Sequence, residues 1–425
     1  MSKKKKIVLI VIVLSIVVIV GGFFIFSRWN RAIPQNGVND DNLMKQNEVV
    51  IETDEGILEE ANQQLLSVDD EKQVVDSTSG ISTMSNVDTS NWDLRKVNIV
   101  YDTAGVAVPV PIGFTASSVT GEHTVNDGFV VYEGEGEVND SNYWEESKER
   151  NQFVWVPVAD PSRLYTQDSS TGKIKSKSYS YSETGRSLIT SSSYVEPGVV
   201  SYDIEQYFAR YNMQGYTKEK LLQELEIGLE ETIESIEKYG GFYIGRYETG
   251  NVTEEYEVPV VRRMNTDINY VTWYRAYVNS KNISMNLNIQ PNLIYGCLWD
   301  ETIQWLVDSG EKTVEEIGSD STAWGNYRNN TFEYTTTSGG TATKSENSGT
   351  RIPTGSAEVT KANNIYDIAG NMYEWTAEAL SSSYRRLRGG NFYDDGDDMP
   401  ASYRNGVYPY GGISNYGARA YFYIK

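Results

Sequence analysis

One cysteine and one histidine in 425 residues set the first limit on what this chain can build. Cys297 has no partner for an intramolecular disulfide, and alone it makes neither a thiolate pair for copper nor a four-cysteine zinc or iron-sulfur site. His123 likewise excludes the two- and three-histidine centres of most zinc hydrolases and non-haem iron oxygenases. The fold must therefore be held by packing, hydrogen bonds and ion pairs. The chain has 12% aromatic residues, 31 of them tyrosine, enough for both a core and a recognition face. At this length one large domain with appendages is expected.

Residues 7–26, IVLIVIVLSIVVIVGGFFIF, form an apolar run without a charge. As a helix rising about 1.5 Å per residue, the run is about 30 Å long and spans a hydrocarbon core. Lys3, Lys4, Lys5 and Lys6 precede it and only Arg28 and Arg31 follow closely, so the positive-inside bias puts the N-terminus in the cytoplasm. A single-pass plasma-membrane protein with an extracytoplasmic C-terminal part is expected. A cleaved signal peptide is the alternative, but the run is long for one and SRWNRAI, which follows, offers no small-x-small cleavage site.

The first 31 residues hold six basic and no acidic side chains, which leaves 31 basic against 59 acidic, about −28, on the rest. Such a surface repels nucleic-acid phosphates, so nucleic acid is not an expected partner. Residues 32–92 are acidic and poor in apolar groups, and read as a stalk with one short helix around 57–66. Residues 93–200 read as a β-rich N-terminal part of the exterior region, and 201–425 as the main domain. NQFVWVPV (151–158) predicts a strand buried on both faces. Leu221, Leu222, Leu225, Leu229, Ile233 and Ile236 place one apolar stripe on a helix over 218–239, stopped by Gly240 and Gly241. GFYIGRYETG then resumes a strand, and further helices are expected over 269–280 and 299–309. The last 120 residues carry few periods and predict long, irregular, aromatic-packed connections.

Several segments, in order, resemble the formylglycine-generating enzyme and sulfatase-modifying factor family. They are FVWVPV (153–158), GGFYIGRYETG (240–250), NLIYGCLWDETIQWL (292–306), WGN (324–326), NNIYDIAGNMYEWTAE (363–378), LRGGNF (387–392) and YGAR (416–419). The resemblance begins near residue 150. It implies an α+β, elaborated C-type-lectin-like domain with much irregular structure, here preceded by the single transmembrane helix. Read from the residues themselves, Trp375 offers a large ring to the core beside an available Glu374 carboxylate, and Arg388 and Arg419 suit buried salt bridges.

The resemblance also implies a calcium site in DIAGNMYE, with the Asp367 side chain, the Gly370 and Met372 carbonyls and the Glu374 side chain as ligands. Mixed hard oxygen donors are what calcium takes. Alternatively Asp367 caps a turn and Glu374 pairs with an arginine. The family's copper-binding cysteine pair has no counterpart after LRGGNF, and the iron site of related sulfoxide synthases needs more than one histidine. Copper and iron are therefore not expected, and Cys297 reads as a buried small hydrophobe.

Between Asn391 and Tyr416 the chain is rich in Tyr, Asp, Asn, Ser and Gly, the composition of antibody-like paratopes. It also resembles the variable region of lectin-fold proteins diversified by retroelements, although YGAR departs from their second flanking motif. Tyr393, Asp394, Asp395, Tyr403, Tyr408, Tyr410 and Tyr416 are the expected contacts with an exterior protein or glycan. The alternatives are an enzyme of the sulfatase-modifying class with altered chemistry, using the carboxylates Asp394, Asp395, Asp397 or Asp398, and a structural envelope component.

Overall fold

Gln152–Pro157 carries no polar-apolar alternation because it has no solvent face: every position is buried. The computed structural model describes residues 88–190, 197–199, 217–250, 259–266 and 271–425. The membrane anchor expected at 7–26, the helix at 57–66 and nearly all of the 32–92 stalk lie outside the described residues. Among the described residues no helix is long and apolar enough to cross a membrane.

Ten strands in two sheets position the site. They are β1 (Phe114–Ala116), β2 (Phe129–Glu133), β3 (Gln152–Pro157), β4 (Gly241–Gly245), β5 (Ile289–Leu293), β6 (Tyr373–Ala379), β7 (Arg385–Arg388), β8 (Arg404–Val407), β9 (Tyr416–Ala418) and β10 (Ala420–Ile424). The main sheet has the order β5-β10-β4-β3-β2-β1, with every pair antiparallel. The second sheet runs β8-β7-β6-β9, in which only β6 and β9 are parallel. Further short hairpins, such as Val97–Tyr101 with Ala107–Pro111, decorate these sheets.

The stretch 93–200 supplies three of the six strands of the main sheet, so its sheet is shared with the C-terminal part. Trp92, the expected end of the stalk, belongs to the core: its ring packs on Tyr239 and its Nε1 donates to the Lys238 carbonyl at 3.0 Å.

Helix α1, Lys218–Tyr239, has the predicted bounds because its signals are local. The Thr217 side chain accepts from the Lys220 amide at the start, and Gly240 ends it with φ 86°. Leu221, Leu225, Leu229, Ile233 and Ile236 are buried, and the helix packs on β4 and β10. Each such side chain contributes roughly 1.5–3 kcal/mol of transfer free energy. Leu222, expected on the same stripe, is only half-buried.

Helix α2, Trp273–Ser280, starts where the Thr272 side chain caps it; the expected start at 269 lies outside the described residues. Helix α3, Gly296–Asp308, begins three residues before the expected Trp299 and buries Cys297. After β4 the chain leaves the sheet, so the strand expected through GFYIGRYETG covers only its first half. The C-terminal 120 residues contain many short strands, where sequence periodicity had suggested mainly irregular chain.

Candidate functional site

Four of the motif segments meet in the interior, around a cluster of carboxylates. Arg419 lies between β9 and β10, fully buried. Its Nε and Nη2 bond both oxygens of Glu374 on β6, at 2.9 and 2.5 Å. Nη1 donates to the Gly245 carbonyl that ends β4, and Nη2 to the Tyr366 carbonyl. Glu374, expected to be available beside Trp375, is instead as buried as the ring and fully engaged. Asn371 Nδ2 and the Met372 amide donate to Glu248, at 2.6 and 3.0 Å. Asn326, in WGN, bonds Asn371 Oδ1.

Asp367 takes a left-handed conformation, φ 59°, at 1% exposure. Its Oδ2 accepts from Thr354 Oγ1 and the Gly355 amide, whereas its Oδ1 is buried without a hydrogen-bond partner among the described residues. Burial, then the charges of Asp367 and Glu374, push Glu248 well above the usual carboxylate range, and burial raises Asp367 as well. As a calcium donor set these residues divide. Asp367 Oδ1 is a hard acceptor without a hydrogen-bond partner among the described residues, while the Glu374 carboxylate already shares its charge with Arg419, and among the described residues no group of three or more His, Cys, Asp or Glu side chains could hold a metal ion. Glu248 was not singled out in the sequence, because nothing local distinguishes a glutamate whose partners lie more than a hundred residues away.

LRGGNF supports the same interior. Gly389 and Gly390 have φ 89° and 72°, and a Cβ on Gly390 would stand 2.4 Å from the Met399 carbonyl oxygen. Arg388, with no exposure, pairs with Asp300 on α3, which also receives Arg404 Nη2 at 2.6 Å and the Tyr179 amide at 2.9 Å. Arg404 Nη1 reaches Glu378 at 2.8 Å. The arginines of β7 and β8 thus fasten the second sheet to α3.

The expected ligand contacts separate into two aromatic groups. Tyr408 and Tyr410 stack at 5.2 Å and 21°, and Tyr384, unforeseen in the sequence, extends the row at 4.6 Å from Tyr408, with a 3.1 Å hydroxyl-hydroxyl bond. Tyr410 is 45% exposed. Tyr403 and Tyr416 both lie 6.3 Å from the ring of Tyr373, close to Asp394, and Tyr416 meets Trp375 edge-on. Asp395 is tied to Arg328, and Tyr393 packs on its neighbour Phe392. Asp397 and Asp398 are exposed, with Asn329 Nδ2 donating to Asp397. His123 is half-buried, its Nδ1 2.9 Å from the Val119 carbonyl.

A six-stranded antiparallel sheet, a four-stranded mixed sheet, glycine-crowded connections and buried arginine-carboxylate ties make a mixed α/β domain. Residues 305–422 match the family model described as the sulfatase-modifying factor enzyme 1-like domain. A domain of that family is therefore present over this part of the chain. Among solved structures, Treponema denticola variable protein 1 is similar at 16% identity and a TM-score of 0.30, over 44% of this chain and 85% of that one. A structure of CarF is similar at 14% identity and a TM-score of 0.28, over 44% and 87%. No curated protein matches the sequence.

Proposed function

We propose that this is a binding protein, held at the plasma membrane by its N-terminal apolar segment, whose sulfatase-modifying-type scaffold displays a tyrosine-rich surface to an exterior protein or glycan. The observation that carries this reading is the Tyr384–Tyr408–Tyr410 row, which ends in a large exposed ring. Stacked tyrosines present a wide contact face whose ordering is already complete before a ligand arrives. The family's cysteine pair has no counterpart in the sequence, which favours recognition over oxygen chemistry. A calcium ion at Asp367, Gly370 and Met372, with Glu374 shared with Arg419, belongs to this proposal as a structural element.

The full chain in a neutral detergent, screened against glycan and cell-surface protein arrays, is expected to find a partner. Y408A/Y410A should weaken that partner at least tenfold, since truncating aromatic anchors costs roughly 2 kcal/mol or more. Unchanged affinity in the double variant would overturn the reading. Formylglycine formed from a cysteine-containing sulfatase peptide, with copper and oxygen supplied, would replace it with the enzymatic one.

A further inference from the structure

Asp394 lies in the connection from β7 to β8, where Asn391 donates to its Oδ2 from the backbone (3.1 Å) and from Nδ2 (2.5 Å). The Tyr373 hydroxyl donates to Met399 Sδ at 2.6 Å and lies near enough to the same carboxylate to act on its charge. Tyr373 belongs to a three-ring group, with Tyr403 inclined at 37° and Tyr416 at 74° to it, each at 6.3 Å. Tyr373 is buried, whereas Tyr403, Tyr416 and Asp394 are half-buried and reach solvent.

Among the described residues no basic side chain forms an ion pair with Asp394. The guanidinium that acts on it, Arg328, is committed to Asp395 through Nε–Oδ1 at 3.0 Å and Nη2–Oδ2 at 2.5 Å. A poorly solvated carboxylate without a cation is costly, and phenol rings attract a cation through their electron-rich faces. Four side chains thus supply one unspent negative charge and an aromatic surround.

We infer that Asp394, Tyr373, Tyr403 and Tyr416 form a subsite for an alkylammonium or guanidinium group of the ligand. The inference rests on the binding reading above and adds the charge of the ligand at one point. An exterior part carrying about −28 draws such a ligand in. The charged and titratable groups around Asp394 are Tyr327, Tyr373, Tyr403 and Tyr416, with Arg328 and Asp395 beside it and Arg386 near Tyr403.

The test is calorimetric titration of the full chain with an end-blocked hexapeptide containing one lysine, with its Nε-acetylated form, and with n-butylammonium. The lysine peptide should bind, and acetylation or D394N should each weaken it by roughly tenfold, the value of a charge-assisted hydrogen bond. Y403A should weaken it too, whereas D397N/D398N should leave it unchanged. Burial pushes Asp394 up to about 6, so affinity should fall from pH 7.5 to pH 5 as the carboxyl takes up a proton, and D394N should lose this dependence. Binding of butylammonium as tightly as the peptide assigns the subsite to small amines; preference for the peptide assigns it to a protein side chain. No binding by any probe, equal binding of the acetylated peptide, or equal losses in D394N and D397N/D398N would overturn the subsite. A partner that needs Tyr408 and Tyr410 but ignores D394N would leave the binding reading intact and remove this one.

Discussion

Asp367 shows how a single residue can pose a question that its neighbours leave open. Its left-handed backbone turns the side chain inward, where Thr354 and Gly355 satisfy one oxygen and no described residue satisfies the other. An unmet buried acceptor costs roughly 1–3 kcal/mol, so a bound cation would be repaid in stability. With calcium at a hundredfold excess over its Kd, the expected stabilisation is about 2.7 kcal/mol. Thermal melts of the full chain should therefore drop on adding EGTA and recover with calcium, and D367N should abolish the response. Identical melts with and without the chelator would remove calcium from the proposal. The sequence already carried both readings of this segment. The arginine partner expected for Glu374 is Arg419, at a distance of 45 residues. Glu248 and Tyr373 were not legible because each is ordinary in its own segment and becomes distinctive only through contacts made across the fold.

Elements were legible in proportion to how locally they are specified. Helix α1 carries its stripe, its threonine cap and its terminating glycine within 24 consecutive residues, from Thr217 to Gly240, and its bounds follow. Strand β6 is buried at all seven positions, so alternation could not mark it, and β7, β8 and β9 are three or four residues long. The arginines of β7 and β8 find their carboxylate partners on α3 and β6, outside their own segments. A local rule also loses to packing at Gly228, in the middle of α1. Alanine there gains about 1 kcal/mol in helix propensity. A Cβ, however, would stand 2.8 Å from the Tyr295 hydroxyl, which donates to the Leu225 carbonyl at 2.7 Å. Displacing that buried bond costs roughly 1–3 kcal/mol, so G228A is expected to destabilise by about 1 kcal/mol in urea denaturation. In a Y295F background the hydroxyl is gone and the same substitution should become neutral or stabilising; an equal loss in both backgrounds would show that the conflict lies elsewhere.

At the scale of the described molecule, two sheets are joined by one residue. Strands β9 and β10 belong to different sheets yet are separated in sequence by Arg419 alone. Its guanidinium reaches β6 through Glu374 and the end of β4 through Gly245, so one side chain bonds to both sheets from the point where the chain crosses between them. The main sheet in turn mixes strands from the beginning and the end of the described chain, with β10 lying between β5 and β4. Such interleaving gives no plane along which one half could melt before the other, and unfolding of this unit should be a single transition. R419M keeps much of the volume but leaves Glu374 buried without a cation. Breaking one partner of such a pair costs about 3–5 kcal/mol. The expected result is one transition at a markedly lower temperature, by calorimetry and circular dichroism alike. R419M/E374M should recover part of the loss, because the stranded charge is then gone while the bonds to Gly245 and Tyr366 remain missing. Two resolved transitions in R419M would mean that the sheets fold separately and that Arg419 merely docks them. A loss no smaller in the double variant would place its importance in those backbone bonds rather than in the ion pair.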